Sequence, residues 1–315
     1  SEIIDREYEE VDDLKYIQKE DIVITISNNG YIKRSLLENY RAQNRGGKGK
    51  TGMSTREEDF VKEIHLADTH TKLLVFSSLG KVYALKSHDI PEASLKARGK
   101  PIVNLLPFSK DEKIATFLPL PLEEETWHES LIIFATKNGM IRKNKLIDVA
   151  KSGKRELRES GKLAIKLDPR DQLIGIKLAN QDDDMLLSSK NGKCLRFPLA
   201  KLRLFSGLNS SGVKGIKLEK NNYVISQAIL KHSKIDMNIR QDYLRAASEN
   251  RKNTSVLKSE FEDLNKNEEF LLALTTNGYG KRSSAYEYRI SNRGGKGITA
   301  ILTPATHGAA LDCFV

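Results

Sequence analysis

The chain has 315 residues, of which 39% are hydrophobic and 30% are charged, and its formal net charge is +10 at pH 7. A chain of this composition can bury a sizeable core, and it holds no apolar run long enough to span a bilayer. These values exclude a membrane-spanning protein. The positive charge favours an anionic partner, although solubility alone could account for a diffuse basic surface.

The charge and the cysteines are unevenly placed along the chain. Residues 1–20 carry three basic and eight acidic residues and no apolar signal core, so we interpret them as an acidic linker or N-terminal extension. Residues 219–269 are neutral, and the remainder, with 40 basic and 25 acidic residues, should hold any anion-binding surface. Cys194 and Cys313 lie far apart and outside any metal-ligand spacing, which favours a reducing, cytoplasmic location.

Five segments share one pattern, in which an apolar run meets a tight turn and a second run that is mostly basic. In chain order they are "DIVITISNNGYIKRS" from Asp21, "KLLVFSSLGKVYALKS" from Lys72, "SLIIFATKNGMIRKNKL" from Ser130, "DMLLSSKNGKCLRFPL" from Asp184 and "EFLLALTTNGYGKRSS" from Glu269. Asparagine precedes four of the five turn glycines, and Asn-Gly between β-forming runs favours a two-residue hairpin turn. The pattern predicts five β-hairpins.

A second element follows each hairpin and consists of a polar loop, a glycine beside basic residues and a short apolar run. Its copies are "NRGGKGKTGM" from Asn44, "KARGKPIVNLL" from Lys96, "RESGKLAIKL" from Arg158, "NSSGVKGIKL" from Asn209 and "NRGGKGITAIL" from Asn292. The turn glycines are 50, 59, 53 and 86 residues apart. We interpret the long last interval as a partly helical insertion at about 219–267, with the helix near Asn238–Lys252.

Repeats of about 50 residues, with roughly four strands each, are typical of propeller-like folds. A single hairpin cannot bury its faces, so adjacent copies should pack into a continuous core. The sequence therefore predicts an all-β domain of propeller-like blades over 21–315. A string of separate β-modules is the alternative, although the spacing leaves little linker for it.

The glycine-rich stretch "YRAQNRGGKGKTG", Tyr40 to Gly52, needs a functional interpretation. The end of a phosphate-binding P-loop is present in Gly49–Thr51, but Asn44 stands where that motif requires its first glycine, and no clear helix follows. Nucleotide hydrolysis is therefore disfavoured. Glycines could still let backbone amides approach an anion, or they could only serve a tight loop.

Within this stretch "QNRGGKG", composed of Gln43, Asn44, Arg45, Gly46, Gly47, Lys48 and Gly49, resembles the signature heptapeptide of DNA gyrase A C-terminal domains, usually written Q-R-R-G-G-K-G. The resemblance extends from about Asp21 to the end of the chain. Its other motifs are "EDFVKEIHLADTHTKLLVFSSLGKVYALK" from Glu58, "ARGKPIVNLLPF" from Ala97, "GVKGIKL" from Gly212 and "NGYGKRSSAYEYR" from Asn277. Asn44 departs from the motif and removes one basic contact.

The resemblance implies a β-pinwheel, usually of six blades, with duplex DNA wrapped around its rim and the signature loop joining the first and last blades. Only five hairpins are visible here, so we expect either a truncated chain or the absence of the last blade. The second copy of the motif, Ser291–Gly297, replaces glutamine with serine. We interpret it as the same β-element in the fifth blade.

Basic residues recur at matching places in the repeats, and wrapping a duplex is mainly a matter of phosphate contacts. We expect each blade to present them on one outward edge. The candidates after the hairpin turns are Lys33, Arg34, Lys81, Arg142, Lys143, Lys145, Lys193, Arg196, Lys281 and Arg282. The candidates in the loops are Arg41, Arg45, Lys48, Lys50, Arg98, Lys100, Arg158, Lys162, Lys214, Arg293 and Lys296.

By this resemblance the chain would wrap double-stranded DNA, largely independently of sequence, for a bacterial, ATP-dependent type IIA topoisomerase. Its partners would be the rest of gyrase A and the gyrase B protein, and its location would be the nucleoid region of the cytoplasm. No catalytic residue, metal site or cofactor is expected in this chain, since ATP and Mg²⁺ are implied only for the whole enzyme. Two alternatives remain: a topoisomerase IV domain that wraps weakly, and a protein-binding propeller.

Overall fold

The computed structural model describes residues 13–40, 52–53, 59–153, 155–157, 160–252 and 256–315. Most regular structure in this part of the chain is β. In chain order the strands are β1 (Asp21–Ser27), β2 (Tyr31–Leu36), β3 (Val61–Asp68), β4 (Lys72–Ser77), β5 (Lys81–Lys86), β6 (Lys100–Pro101), β7 (Ile114–Pro119), β8 (Leu131–Thr136), β9 (Met140–Lys145), β10 (Lys151–Ser152), β11 (Arg155–Glu156), β12 (Lys162–Leu163), β13 (Leu173–Ala179), β14 (Asp183–Ser189), β15 (Lys193–Pro198), β16 (Val213–Lys214), β17 (Val224–Lys231), β18 (Phe270–Thr275), β19 (Gly280–Ser284), β20 (Ile298–Thr299) and β21 (Ala310–Phe314).

Helices are few and short among these residues. The α-helices are α1 (Leu146–Ala150), α2 (Met237–Arg251) and α3 (Glu262–Lys266). The 3₁₀ turns are Asp13–Tyr16, Leu37–Asn39, Ser87–Asp89, Ile102–Asn104, Glu124–His128, Leu199–Lys201, Ser259–Phe261 and Ala285–Glu287. Within the described segments, no helix has the length and apolar character needed to cross a membrane.

All five predicted hairpins are present, each in its own sheet, and in four of the sheets the hairpin occupies the two central positions. In strand order the sheets are β3-β1-β2-β6, β12-β5-β4-β7, β13-β8-β9-β16, β17-β14-β15-β20 and β19-β18-β21, which we number one to five. The remaining pair, β10-β11, is a small two-stranded ribbon. The turn glycines, such as Gly30 and Gly139, adopt positive φ, as a two-residue hairpin turn requires. The prediction of an all-β, blade-like repeat is thus confirmed.

The glycine-basic element of each later copy completes the sheet of the copy before it. β6 pairs with β2 through Ile32 and Lys100, and β16 pairs with β9 through Ile141 and Val213. β12 and β20 complete the second and fourth sheets in the same way. Consecutive repeats therefore share a sheet edge, which the sequence alone did not reveal.

Close approach explains the glycine that opens two of these elements. A Cβ on Gly212 would lie 2.1 Å from the carbonyl oxygen of Ile141, and one on Gly297 would lie 2.4 Å from that of Cys194. Both residues also have positive φ. Any other residue would clash with the backbone of the preceding copy, so the glycine is what allows the element to dock as an edge strand.

The chain divides into two compact units, Ser1–Val75 with Tyr83–Leu122 and Arg158–Gly161, and Phe76–Val82 with Glu123–Leu157 and Lys162–Val315. The core of the first unit is formed by inward-facing residues of β1, β2, β4, β5 and β7, including Ile24, Val75 and Phe117. Burying such side chains supplies about 1.5–3 kcal/mol each, which drives the packing of neighbouring sheets.

The second unit has three adjoining apolar clusters. One joins the third and fourth sheets around Ile133 and Met185, and another joins the fourth and fifth around Leu186 and Leu271. The third, around Tyr243 and Phe261, lies between α2, α3 and the chain after β19. The two cysteines, Cys194 and Cys313, are unpaired and buried in the cluster of the fourth and fifth sheets. The fourth sheet thus contributes to cores on both of its faces, as expected for stacked blades.

The segment interpreted as an insertion starts later than the sequence suggested. β17 lies within the range assigned to it, yet β17 is the outer strand of the fourth sheet and pairs with β14 over seven residue pairs. The residues before it, 219–223, are polar, and for that reason the apolar run that follows was not recognised as a strand. The insertion proper runs from 232 to 268 and contains α2, as predicted, together with α3.

The fifth sheet has three strands among the described residues, although four were expected. In sheets one to four the edge beside the second hairpin strand is covered by the element of the next copy. In the fifth sheet the second hairpin strand is β19, and no described strand pairs with its outer edge. The basic residues of β19 consequently differ in their surroundings from those of the earlier sheets.

Candidate nucleic-acid interface

Four of the predicted DNA-binding residues do not lie on an outward edge. Lys33, Arg142, Lys143 and Arg196 are at most 4% exposed. The second hairpin strand is covered on both faces in sheets one, three and four, so alternate side chains do not reach solvent there. The expectation that these four present their charges on an outward edge is wrong, because each cationic group is enclosed by protein oxygens.

Arg142 shows what the buried cations do instead. Its Nη1 donates to the carbonyl oxygens of Leu208 and Ser210 at 2.8 and 2.7 Å, and its Nη2 donates to that of Ala164. Its Nε donates to Asn144 at 2.8 Å. Burial lowers the pKa of Arg142 to about 10, so the guanidinium stays charged at neutral pH. Arg142 therefore holds together loops of the third and fourth copies.

The two buried lysines act in a similar way. Lys33 Nζ donates to the carbonyl oxygens of Ser94 and Leu95, both at 2.7 Å. Lys143 Nζ donates to the carbonyl oxygen of Leu199 at 2.7 Å and to the Gln181 side chain. Burial lowers the pKa of both lysines. Both ammonium groups are therefore committed to protein oxygens, so these cations stabilise the repeat and are not free to meet a phosphate.

Arg196 is neutralised by a carboxylate. Its Nε lies 2.8 Å from Asp184 Oδ2, and the other Asp184 oxygen lies 2.7 Å from His232 Nδ1. The Arg196 guanidinium also donates to the carbonyl oxygens of Ala285 and Lys231. Asp184 lies within β14 and is fully buried. The pair ties the fourth sheet to the start of the insertion and to the fifth sheet.

A second group of predicted residues is half-buried and mostly engaged already. Arg34 donates to the carbonyl oxygen of Ile90 and lies 3.2 Å from Glu92, and Arg98 stacks on Tyr31 at 3.6 Å. Lys193 forms an ion pair with Glu219 at the surface. Lys81 is also half-buried, and Lys162 donates to the carbonyl oxygens of Asp148 and Lys151. Engaged residues of this kind can turn a charge toward an anion only by giving up these interactions.

The third group is exposed and available to an anion. Its members are Lys100, Lys145, Lys214, Lys281, Arg282, Arg293 and Lys296. Lys281 lies 3.6 Å from Glu287, and Arg282 stacks on Phe270 at 3.7 Å, so both remain at the surface of the fifth sheet. Exposed cations of this kind can release condensed counterions when they meet a phosphate.

Several of the exposed cations lie where two glycine-basic elements meet. The amide of Gly294 donates to the carbonyl oxygen of Gly215, and the amide of Lys217 donates to that of Gly295. Arg293 Nη1 donates to the carbonyl oxygen of Lys214 at 3.1 Å. The elements of the fourth and fifth copies therefore form one surface. We call its four exposed cations, Lys214, Lys217, Arg293 and Lys296, the basic ribbon.

Sequence reasoning missed Lys217 and Arg289, both of which are exposed beside these elements. The signal was present in each case. Lys217 follows Lys214 within "GVKGIKL", and Arg289 is the counterpart of Arg41 when "YRISNRGGKG" is aligned with "YRAQNRGGKG". The first copy of this motif, with Gln43 to Gly49, lies outside the described residues, as do Arg41, Lys50 and Arg158.

Comparison with known protein families divides the chain into the same five repeats. The family model described as "DNA gyrase C-terminal domain, beta-propeller" matches residues 21–67, 71–121, 130–180, 183–229 and 269–306. Each of the five matches contains one of the five hairpins, and the insertion at 232–268 is unmatched.

Curated relatives share substantial sequence identity with this chain. It is 41% identical over 305 residues to the DNA gyrase A protein of Rickettsia bellii, with 92% of this chain and 33% of the relative covered. It is 35% identical over 298 residues to the DNA gyrase A protein of Staphylococcus aureus, with 94% and 29% covered. The chain thus spans about a third of the length of the curated relatives it matches.

Solved structures share the fold at lower identity. A DNA gyrase A C-terminal domain superposes with a TM-score of 0.69 at 21% identity, covering 93% of this chain and 82% of the other. The C-terminal domain of a DNA topoisomerase IV gives a TM-score of 0.61 at 21% identity, with 93% and 76% covered. At these identities the superpositions support the fold alone.

Proposed function

Because the chain belongs to the DNA gyrase C-terminal domain family, we propose that it binds duplex DNA and wraps it for a gyrase. The observation that carries this proposal is the basic ribbon, in which exposed cations of two consecutive repeats share one hydrogen-bonded surface. A fixed row of cations suits a polyanion, since phosphate contacts position a duplex without reading its sequence.

The repeated fold supplies what bending DNA requires. Bending 20–30 base pairs through 40–90° costs on the order of 1–6 kcal/mol, so many phosphate contacts must share the load. Sheets one, three and four each have an edge element with at least one exposed cation, so they can offer phosphate contacts at several places along the repeats. The buried cations contribute indirectly, because Lys33, Arg142 and Arg196 fix the loops that lead to the edge elements.

In the proposed whole enzyme this chain would present the wrapped segment for strand passage, so that negative supercoils are introduced. It would act with the remainder of gyrase A and with the gyrase B protein. Cleavage of DNA, ATP hydrolysis and Mg²⁺ binding would belong to those other parts. The chain itself would contribute binding and bending only.

Ligation of nicked circular DNA tests the proposal. The chain is bound to the circle at low salt, the nick is sealed, the protein is stripped and the linking-number distribution is measured. Chiral wrapping predicts a shift to positive linking number that grows with protein and shrinks with added salt. Binding without a shift would overturn wrapping by this chain and favour a weakly wrapping role. Absence of DNA binding would favour an acidic protein as the partner.

A further inference from the structure

The insertion of residues 232–268 has no counterpart in the family matches, yet it is firmly attached to the fifth sheet. Tyr243 and Phe261 pack edge-on, and Tyr243 packs in the same way on Tyr286, which follows β19. The Tyr243 hydroxyl donates to Glu268 at 2.9 Å, and Arg251 donates to both oxygens of Glu268. A docked helix of this kind holds its outward side chains in fixed places.

One of those side chains, the half-buried Arg240 of α2, lies across a cleft from the residues that immediately precede the glycine-basic element of the fifth copy. A cleft of about 260 Å³ separates α2 from the chain after β19, and it is lined by Arg240 together with Arg196 and Arg289. A second cleft of about 170 Å³ is lined by Arg196, Arg289 and Lys296. The two clefts therefore adjoin, and we call them together the Arg289 groove.

The groove carries excess positive charge. Arg196 is paired with Asp184, and Lys296 interacts electrostatically with Glu219, whereas Arg240 and Arg289 form no ion pair with the described residues. The described residues that line the two clefts include no aspartate or glutamate. A third cleft shares Arg196 and Tyr286 with the first but differs in charge, because Asp263 and Glu269 line it together with lysines. Uncompensated positive charge is thus concentrated in the two clefts lined by Arg289, and the carboxylates lie in the third cleft.

We propose that the insertion extends the phosphate-binding surface, with Arg240 and Arg289 contacting the same duplex that lies on the basic ribbon. This inference rests on the proposed function. Its support is continuity, since Lys296 belongs both to the ribbon and to the groove. An acidic protein segment would also suit the charge, but only DNA accounts for a groove that prolongs a row of exposed cations from two repeats.

The chemistry of the groove favours strong phosphate contacts. Arginine offers a planar fork of donors that can bind two phosphate oxygens at once. Ile235, Met237 and Ile290 line the same cleft as Arg240 and Arg289. Arg240 is itself half-buried there, and partial withdrawal from bulk water strengthens a charge-assisted hydrogen bond.

The test measures duplex binding by the full chain as a function of salt. Arg240→Gln, Arg289→Gln and the double variant are titrated with a fluorescent duplex between 50 and 200 mM NaCl (about the range in which phosphate contacts dominate affinity). Each phosphate that a variant no longer binds should reduce the slope of log K against log[salt] by about 0.9, and the double variant should show about twice that reduction. Arg245→Gln is the matched control, since Arg245 lies on the same helix, is exposed and does not line the groove.

The outcomes separate the two proposals. Both single variants could give the same steep slope of log K against log[salt] as the unchanged chain. That result would overturn the role of the groove and leave the proposed DNA binding intact. Absence of salt-dependent binding by the unchanged chain would overturn the proposed function and this inference together. A synthetic acidic peptide with the sequence of residues 1–12 tests the protein alternative. Loss of peptide binding in the variants, with the DNA slope unchanged, would assign the groove to an acidic segment. Urea unfolding of each variant checks that the fold is retained.

Discussion

The hairpins of the third and fifth sheets carry basic residues at the same two positions after their turn glycines but surround them differently. Arg142 and Lys143 follow Gly139, and Lys281 and Arg282 follow Gly278. The first two are fully buried, whereas the last two are exposed. In the third sheet the loops of the next copy pass over the hairpin and present their carbonyl oxygens to both cations. In the described part of the fifth sheet no such strand covers the edge of β19.

This difference shows that a repeated basic position does not have one role. Where the next repeat covers the strand, a cation is needed to satisfy buried carbonyl groups, which would otherwise cost about 1–3 kcal/mol each. Where nothing covers it, the same position is left for solvent or an anion. The second sheet offers a third solution, because Tyr83 occupies the position of Arg142 and donates to Glu112 at 2.8 Å. Variants at these positions should therefore separate stability from DNA binding.

The largest decrease in stability is expected for Arg196→Met. Removal of the guanidinium leaves Asp184 as a buried charge with only His232 beside it. Breaking a buried ion pair from one side costs about 3–5 kcal/mol. The urea midpoint should fall accordingly, and Lys145→Gln, at an exposed position in the neighbouring sheet, should leave it unchanged. Equal midpoints for the two variants would contradict the structural role of Arg196.

Arg142→Gln should cost slightly less, about 3 kcal/mol, because glutamine can satisfy at most part of the three carbonyl groups that Arg142 serves. The unfolding free energy from urea titration provides the measurement. DNA affinity, taken at a temperature where the variant is folded, should change little compared with the ribbon variants. A large change in the salt dependence of binding with stability unaltered would mean that Arg142 contacts phosphate after all.

Tyr83→Phe should cost about 1 kcal/mol at neutral pH by removing the hydrogen bond to Glu112. Burial, followed by the interaction with Glu112, raises the pKa of Tyr83 above its ordinary value. The contribution of Tyr83 to stability is therefore present below the unfolded-state pKa of about 10 and is lost as pH rises above it, since only the unfolded chain ionises. The difference in urea midpoint between Tyr83→Phe and the unchanged chain should therefore be smaller above pH 10 than at pH 8. A gap independent of pH would contradict this assignment.

The smallest effect on stability is expected for Lys281→Gln with Arg282→Gln, within about 0.5 kcal/mol, because both side chains are exposed. Their effect should appear in DNA binding instead. The slope of log K against log[salt] should fall by up to about 0.9 for each phosphate that the variant no longer binds. A decrease in stability comparable with that of Arg142→Gln would show that the two hairpins do not differ as described.

Sequence reasoning predicted the five hairpins because their determinants are local. Asn-Gly turns and β-forming runs need no partner elsewhere in the chain. It missed the strand exchanged between repeats, because Lys100 and Lys214 pair with strands far earlier in the sequence. A two-residue strand is too short for its sequence to identify its partner. It misplaced Arg142 and Lys143 because every residue of β9 from Ile141 to Asn144 is buried, so alternation gives no signal. It also assigned β17 to the insertion.

Amine labelling in the presence and absence of duplex DNA tests the separation of buried from exposed cations most directly. Lysines of the folded chain are acetylated briefly, and modification is quantified by peptide mass spectrometry. Lys33 and Lys143 should remain unmodified in both conditions, whereas the ribbon lysines should react freely and become protected by saturating DNA. Exposed Lys258, in the insertion but away from the groove, is the reference. Labelling of Lys33 and Lys143 at the rate of Lys214, or ribbon lysines that DNA does not protect, would contradict this separation.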